Sequence, residues 1–139
     1  MIALHHVQVS CPPGGEAACR RFYADGLGLT EVAKPADLAR RGGAWFRAYD
    51  ALGAVSAELH VGAEDAFVPA RKAHPAFVVD DLEVTAARLR AVGADVDERE
   101  RDSFPGYRRF HTHDPHGNRV EVLQPLDAGE ADVSGRGAG

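Results

Sequence analysis

The chain is poor in lysine: of its 16 Lys and Arg residues, only Lys34 and Lys72 are lysine. That skew is of the kind genome composition imposes and carries no functional reading. Basic charge as a whole is also short, 16 residues against 21 Asp and Glu, for a net charge of −5. A nucleic-acid-binding surface is normally basic, so this balance argues against one. Cysteine is limited to Cys11 and Cys19, without CxxC spacing, and both read as reduced thiols of a cytosolic chain. No apolar run approaches the ~20 residues of a membrane-spanning helix, and the N-terminus lacks a basic-then-apolar leader. A cytoplasmic protein without a membrane partner is expected. The 139 residues, 45% hydrophobic and 27% charged, suffice for one compact unit or for two small modules sharing a core.

What the chain does have is a plan stated twice. His6 stands in the alternating run Leu4-His5-His6-Val7-Gln8-Val9, and Glu58 in Ala57-Glu58-Leu59-His60-Val61. His74 then stands in His74-Pro75-Ala76-Phe77-Val78-Val79, and Glu121 in Val120-Glu121-Val122-Leu123. The spacings are similar, 58 − 6 = 52 and 121 − 74 = 47 residues.

The elements between them repeat as well. Alternation predicts strands over 4–10, 29–34, 43–50 and 54–62, with a helix over 16–25 that buries Cys19, Phe22 and Tyr23 at i, i+3, i+4. The second copy has strands over 74–79, 95–100, 107–113 and 118–124 and a helix over 81–92, with Asp80 and Glu83 as its N-terminal capping pair. Residues 35–42 read as a turn, and Asp114 to Asn118 as a tight turn between the last two strands. The order is strand-helix-strand-strand-strand, twice. The resulting division is 1–66 for the first module, 67–126 for the second, and a Gly-rich, charged, disordered tail over 127–139.

Side chains alternate across a strand, so His6 shares a face with Gln8 and Ser10, while Val7 and Val9 are free to pack under a helix. By the same parity Glu58 and His60 oppose Leu59 and Val61, and Glu121 opposes Val120 and Val122. Each copy thus carries an imidazole and a carboxylate on the face its apolar residues do not use. Together they could hold a divalent cation such as Zn, Ni, Mn or Fe. Taken singly, each of these residues reads more simply as a hydrogen-bonded or solvated strand residue. Recurrence at matching places is what supports a shared metal site. His111 and His113 also share a face, but no third ligand is evident beside them and they read as ordinary strand residues. His116 reads as a solvated turn residue. Of Trp45 and Phe46, one is expected in the core and the other in the cleft. Tyr107, Arg108 and Arg109 follow a Ser103-Phe104-Pro105-Gly106 loop and read first as a solvated strand edge, with a clamp for an anionic substrate as the second reading.

These motifs resemble the vicinal oxygen chelate superfamily of glyoxalase I, extradiol dioxygenases, fosfomycin-resistance transferases, methylmalonyl-CoA epimerase and bleomycin-binding proteins. The resemblance covers residues 3 to 125. Its carriers are Leu4-His5-His6-Val7, Phe22-Tyr23 with Leu27-Gly28-Leu29, and Ala73-His74-Pro75-Ala76-Phe77-Val78-Val79-Asp80-Asp81-Leu82. The most specific is Asp114-Pro115-His116-Gly117-Asn118-Arg119-Val120-Glu121, similar to the family's DPxGNxxE. The resemblance implies an α+β fold of two tandem βαβββ modules whose eight strands form an open, barrel-like sheet around a metal cleft. It also implies a homodimer and a small-molecule substrate.

Matched by position, the resemblance makes His6, His74 and Glu121 metal ligands, with Glu58 the fourth and His60 its substitute. It makes Glu58 and Glu121 the candidate catalytic bases. A glyoxalase-type proton transfer on a small substrate with vicinal oxygens is expected. The alternatives are an extradiol-type Fe(II) dioxygenase and a metal-free protein that sequesters a drug. Where glutathione-dependent glyoxalase I carries an Arg and an Asn, this chain has Ser10 and Gly62. Dependence on glutathione is therefore not expected.

Overall fold

The computed structural model describes residues 1–127, and from residue 128 the expected tail lies outside the described residues. Strands β1 (Val7–Cys11), β2 (Thr30–Val32), β3 (Ala44–Tyr49) and β4 (Val55–Ala63) form a four-stranded sheet in the order β1-β4-β3-β2. Strands β5 (Ala76–Val78), β6 (Tyr107–His113) and β7 (Arg119–Pro125) form a three-stranded sheet in the order β5-β7-β6. In each sheet the first strand runs parallel to the last and the last pairs antiparallel with its predecessor. The fold is α+β, and among the described residues two sheets of four and three strands stand in place of the expected eight-stranded open, barrel-like sheet; neither closes on itself. The strand expected over 95–100 is reduced to a single bridge, Asp97 to His111. That stretch, Asp95-Val96-Asp97-Glu98-Arg99-Glu100, has one apolar residue, and acidic residues are poor strand formers.

The helices lie against one face of the sheets. Helix α1 (Glu16–Arg20) continues as a π-helical segment, Arg21–Gly26, and buries Cys19, Phe22 and Tyr23 as the periodicity requires. The expected turn over 35–42 contains a short helix, α2 (Ala36–Ala39). Helix α3 (Leu82–Ala91) is capped by Asp81, not Asp80: Asp81 is extended and its carboxylate accepts from the Val84 amide at 3.0 Å. Parity then sets the packing. Leu59, Val61, Phe46, Phe110, Val120 and Val122 are all but inaccessible and point to the helices. Each such side chain contributes roughly 1.5–3 kcal/mol by leaving water.

One hydrophobic cluster unites residues of both sheets and both main helices, from Tyr23 and Leu59 to Leu89 and Phe110. The helices meet at Gly26, where an added Cβ would come within 3.0 Å of Leu89 and Val92. A buried polar knot closes the same junction. The Asp114 carboxylate accepts from the Tyr23 hydroxyl at 2.8 Å, the His116 and Asn118 amides, and the Asn118 side chain. Asn118 in turn donates to the Ser10 carbonyl at 2.7 Å. His116, expected to be solvated, is half-buried and tied down, its Nε2 meeting the Gly15 carbonyl at 2.9 Å.

Cys11 and Cys19 are free and fully inaccessible, and burial pushes both thiols above their ordinary range. The expected result is that a thiol reagent such as DTNB reacts with neither cysteine of the native protein and with both once it is unfolded.

Candidate metal centre

Cross-strand register brings polar groups of the three-stranded sheet together. His111 on β6 pairs directly with Glu121 on β7, and Ala76 on β5 flanks Glu121 on its other side. His74, just before β5, places its Nε2 3.0 Å from Glu121 Oε2. Its Nδ1 meets the Lys72 carbonyl at 2.6 Å, which fixes the ring. Its ring also stands edge-on to that of His111, with centroids 5.8 Å apart. One ligand atom from each of His74, His111 and Glu121 lies within 4.8 Å of the others. Among the described residues this is the group that converges as a metal site would.

The electrostatics suit it. Burial, with Arg119 next, lowers the proton affinity of His111, keeping the imidazole neutral as a metal ligand must be. Its ring nitrogens have no hydrogen-bond partner among the described residues, and the residue is only 5% exposed. For Glu121, burial acts to raise the pKa, but hydrogen bonds from Arg109 and His74 outweigh it and the net shift is downward. Arg109 Nη1 donates to Glu121 Oε1 at 2.8 Å, which leaves Oε2 turned toward His74. Two imidazoles and one carboxylate are a donor set suited to Zn or Fe, so these residues fit a divalent ion.

The candidates at the four-stranded sheet form a second polar group. Glu58 accepts from Arg47 across the β3–β4 ladder at 2.9 Å, and this bond chiefly holds its carboxyl below the usual range. His5 Nδ1 lies 3.5 Å from Glu58 Oε2 and His60 Nε2 3.6 Å from Oε1. The His60 ring is stacked between Trp45 and His6, 4.0 Å from each centroid. Burial and His6 lower its pKa, and its Nε2 is buried without a hydrogen bond. Of the aromatic pair, Phe46 enters the core and Trp45 takes the opposite face beside His60.

His6, Glu58 and His60 therefore do not join the converging group of His74, His111 and Glu121, but the two sets are neighbours. A cavity of ≈ 440 Å³ is lined by His5, His6 and Glu58 on one side and by His74, Ala76 and Phe77 on the other. A separate cavity of ≈ 460 Å³ around Phe22, Val92 and His113 is lined by none of the candidate ligands. His111 and Arg109 are the members whose place in the site the sequence does not give: it reads the first as an ordinary strand residue and the second as a solvated edge. Both sit on the face of β6 that shares its parity with Glu121. That signal becomes usable once β6 and β7 are aligned through their turn.

The glyoxalase-like domain family model matches residues 8–123. Among solved structures, a Bacillus anthracis protein assigned to the glyoxalase family is 36% identical with a TM-score of 0.79, over 91% of this chain and 97% of that one. An antibiotic binding protein from Streptomyces sp. CB03234 is 26% identical with a TM-score of 0.59, over 91% and 99%. The fosfomycin resistance protein FosX from Listeria monocytogenes is 15% identical with a TM-score of 0.66, over 94% and 98%, a likeness of fold. No curated protein matches. With the family model spanning most of its length and a relative sharing a third of its sequence, the chain belongs to the glyoxalase-like domain family of the vicinal oxygen chelate superfamily.

Proposed function

We propose that the protein is a small divalent-metal-dependent enzyme of the glyoxalase type, moving a proton on a small substrate with vicinal oxygens. The observation that carries this reading is the convergence of His74, His111 and Glu121 beside a cavity that Glu58 also lines. His74, His111 and Glu121 would hold the ion, with His6, just before β1, lining the same cavity as His74. When bound, such an ion polarises a substrate carbonyl and stabilises developing negative charge.

The chain's own residues supply the rest. Arg109 fixes Glu121 through one oxygen, so that carboxylate is oriented as a ligand. Glu58, outside the converging group, is the residue free to move a proton within the cavity, and Arg47 orients it. Ser10 and Gly62 favour independence from glutathione. A side chain at position 62 would also meet the Gln8 amide, since even a Cβ would lie 2.7 Å from its Nε2. We also propose the two-module division at residues 66 and 67, and a homodimer. Exposed Ile2 and Leu4 at the N-terminus and Val78 on the edge strand β5 offer the apolar surface a second copy would cover. No described helix is long and apolar enough to cross a membrane.

Two rival readings have their own support. A set of two imidazoles and one carboxylate also serves non-haem Fe(II) oxygenases, which favours extradiol-type chemistry. Both carboxylates are already paired with arginine, which would let the cleft work without metal as a sequestering site. Metal analysis of protein purified without chelator or affinity tag separates the three. Stoichiometric Zn, Ni or Mn is the expected result. Redox-active iron would favour the dioxygenase. Repeated absence of metal, with tight binding of an aromatic drug, would sink the metalloenzyme. His113→Ala should keep its metal, because its ring pairs with Asp95 at 3.0 Å, away from the converging group.

A further inference from the structure

The helix-free face of the first sheet has a feature that neither a metal nor a proton-moving base explains. Gln8, His60 and Trp45 lie side by side across β1, β4 and β3. One step further along β4 is Gly62, whose missing side chain lets the Gln8 amide lie across the strand. These residues line a cavity of ≈ 210 Å³ together with Lys34 and Arg41 from the connection between β2 and β3. No carboxylate lines it. Neither Lys34 nor Arg41 makes an ion pair among the described residues. The Gln8 amide, the Trp45 indole and the Arg41 guanidinium make no side-chain hydrogen bonds there either. Lys34 is anchored by donating to the Gly42 carbonyl, which leaves its remaining protons and its charge available.

We propose that this cavity is a subsite for the oxyanion of a small substrate, a carboxylate or phosphate group, held by Lys34 and Arg41 above the Trp45–His60 stack. Two cations without acidic partners around a concave polar pocket recognise an anion. Arg41 offers a planar fork and Lys34 a point charge. The volume lies below the ~300 Å³ from which pockets for drug-sized ligands begin, so it admits a headgroup and not a whole ligand. Glu58 is two residues before His60 on the same face, about 7 Å along the strand. The subsite and the cavity lined by the carboxylate proposed as base thus lie along the same strand. The proposal rests on the reading above only in taking this face as the one that meets substrate.

Trp45 is the single tryptophan of the chain and lines this cavity, so the tryptophan emission comes from its wall. Titration of the as-purified protein with inorganic phosphate and, separately, with acetate should give a saturable change with at least one of them, weakened by added salt. The more effective probe identifies the oxyanion. Lys34→Ala and Arg41→Ala should each weaken the response roughly ten-fold or more, in line with loss of a charge-assisted contact. Arg40→Ala, outside the cavity lining, should not. Metal content should be unchanged in all three variants.

A second measurement needs no variant. Lys34 and Lys72 are the only lysines, so phosphate should shield Lys34 and not Lys72 from an acylating reagent, read by mass spectrometry. No saturable signal, or one that survives in the Lys34→Ala/Arg41→Ala double variant, would overturn the subsite. Absence of metal with an intact anion response would leave the subsite standing and remove the metalloenzyme reading. Metal without an anion response would do the reverse.

Discussion

Glu121→Gln is expected to load metal more than ~100-fold more weakly than the wild type while remaining folded, as read by metal titration alongside thermal melting. Even outer partners of a metal site cost about 10–100-fold when removed, and Glu121 offers the only carboxylate oxygen in the converging group. The amide keeps the shape of the side chain and an oxygen for the Arg109 guanidinium, 2.8 Å away in the parent. It loses the charge that a hard cation needs. Glu121→Ala should lose metal equally, but also leaves Arg109 without its buried partner, so a melting shift accompanies it. His74→Ala and His111→Ala should follow Glu121→Gln in metal loss. Normal occupancy in Glu121→Gln would place the ion elsewhere, with His6, Glu58 and His60 the next set to examine.

The largest loss of stability is expected from Asp114→Ala. The carboxylate is 4% exposed and accepts four hydrogen bonds, from the Tyr23 hydroxyl, the His116 and Asn118 amides and the Asn118 side chain. Removing it strands donors from the first helical segment and from the turn between β6 and β7. A cost of about 3–5 kcal/mol follows, as for other broken buried networks. For a domain of this size that is a melting shift on the order of 10–20 °C. Tyr23→Phe should cost only about 1 kcal/mol, because Asp114 keeps its other donors. Equal effects of the two changes in denaturant or thermal unfolding would show that the knot does not act as described.

Much of this architecture is legible in the chain. Strand β6 falls at 107–113 as the alternation predicts, and the buried stripe of Cys19, Phe22 and Tyr23 is set by helical spacing. The acidic stretch 95–100 misleads because the duplication demands a strand where the residues supply almost no apolar face. The cap of α3 shifts by one residue because Asp80 and Asp81 carry the same chemistry, and only backbone geometry separates them. At the candidate centre, His74 and Glu121 are visible as a recurring pattern. His111 is not, because its third partner is reached across a ladder and local sequence carries no register. The pairing of Arg47 with Glu58 and of Arg109 with Glu121 is hidden for the same reason.

Those two arginine pairs bear on the order in which the molecule is made. Many small metal-binding domains fold only when the ion arrives, because the free energy of binding it is their folding free energy. Here each inward carboxylate already meets a guanidinium at 2.8–2.9 Å, so enclosure is electrically balanced from the outset. On the proposed reading, the polypeptide is thus equipped to mature without waiting for a cation and to accept one afterwards, which would tie occupancy to supply and not to biogenesis.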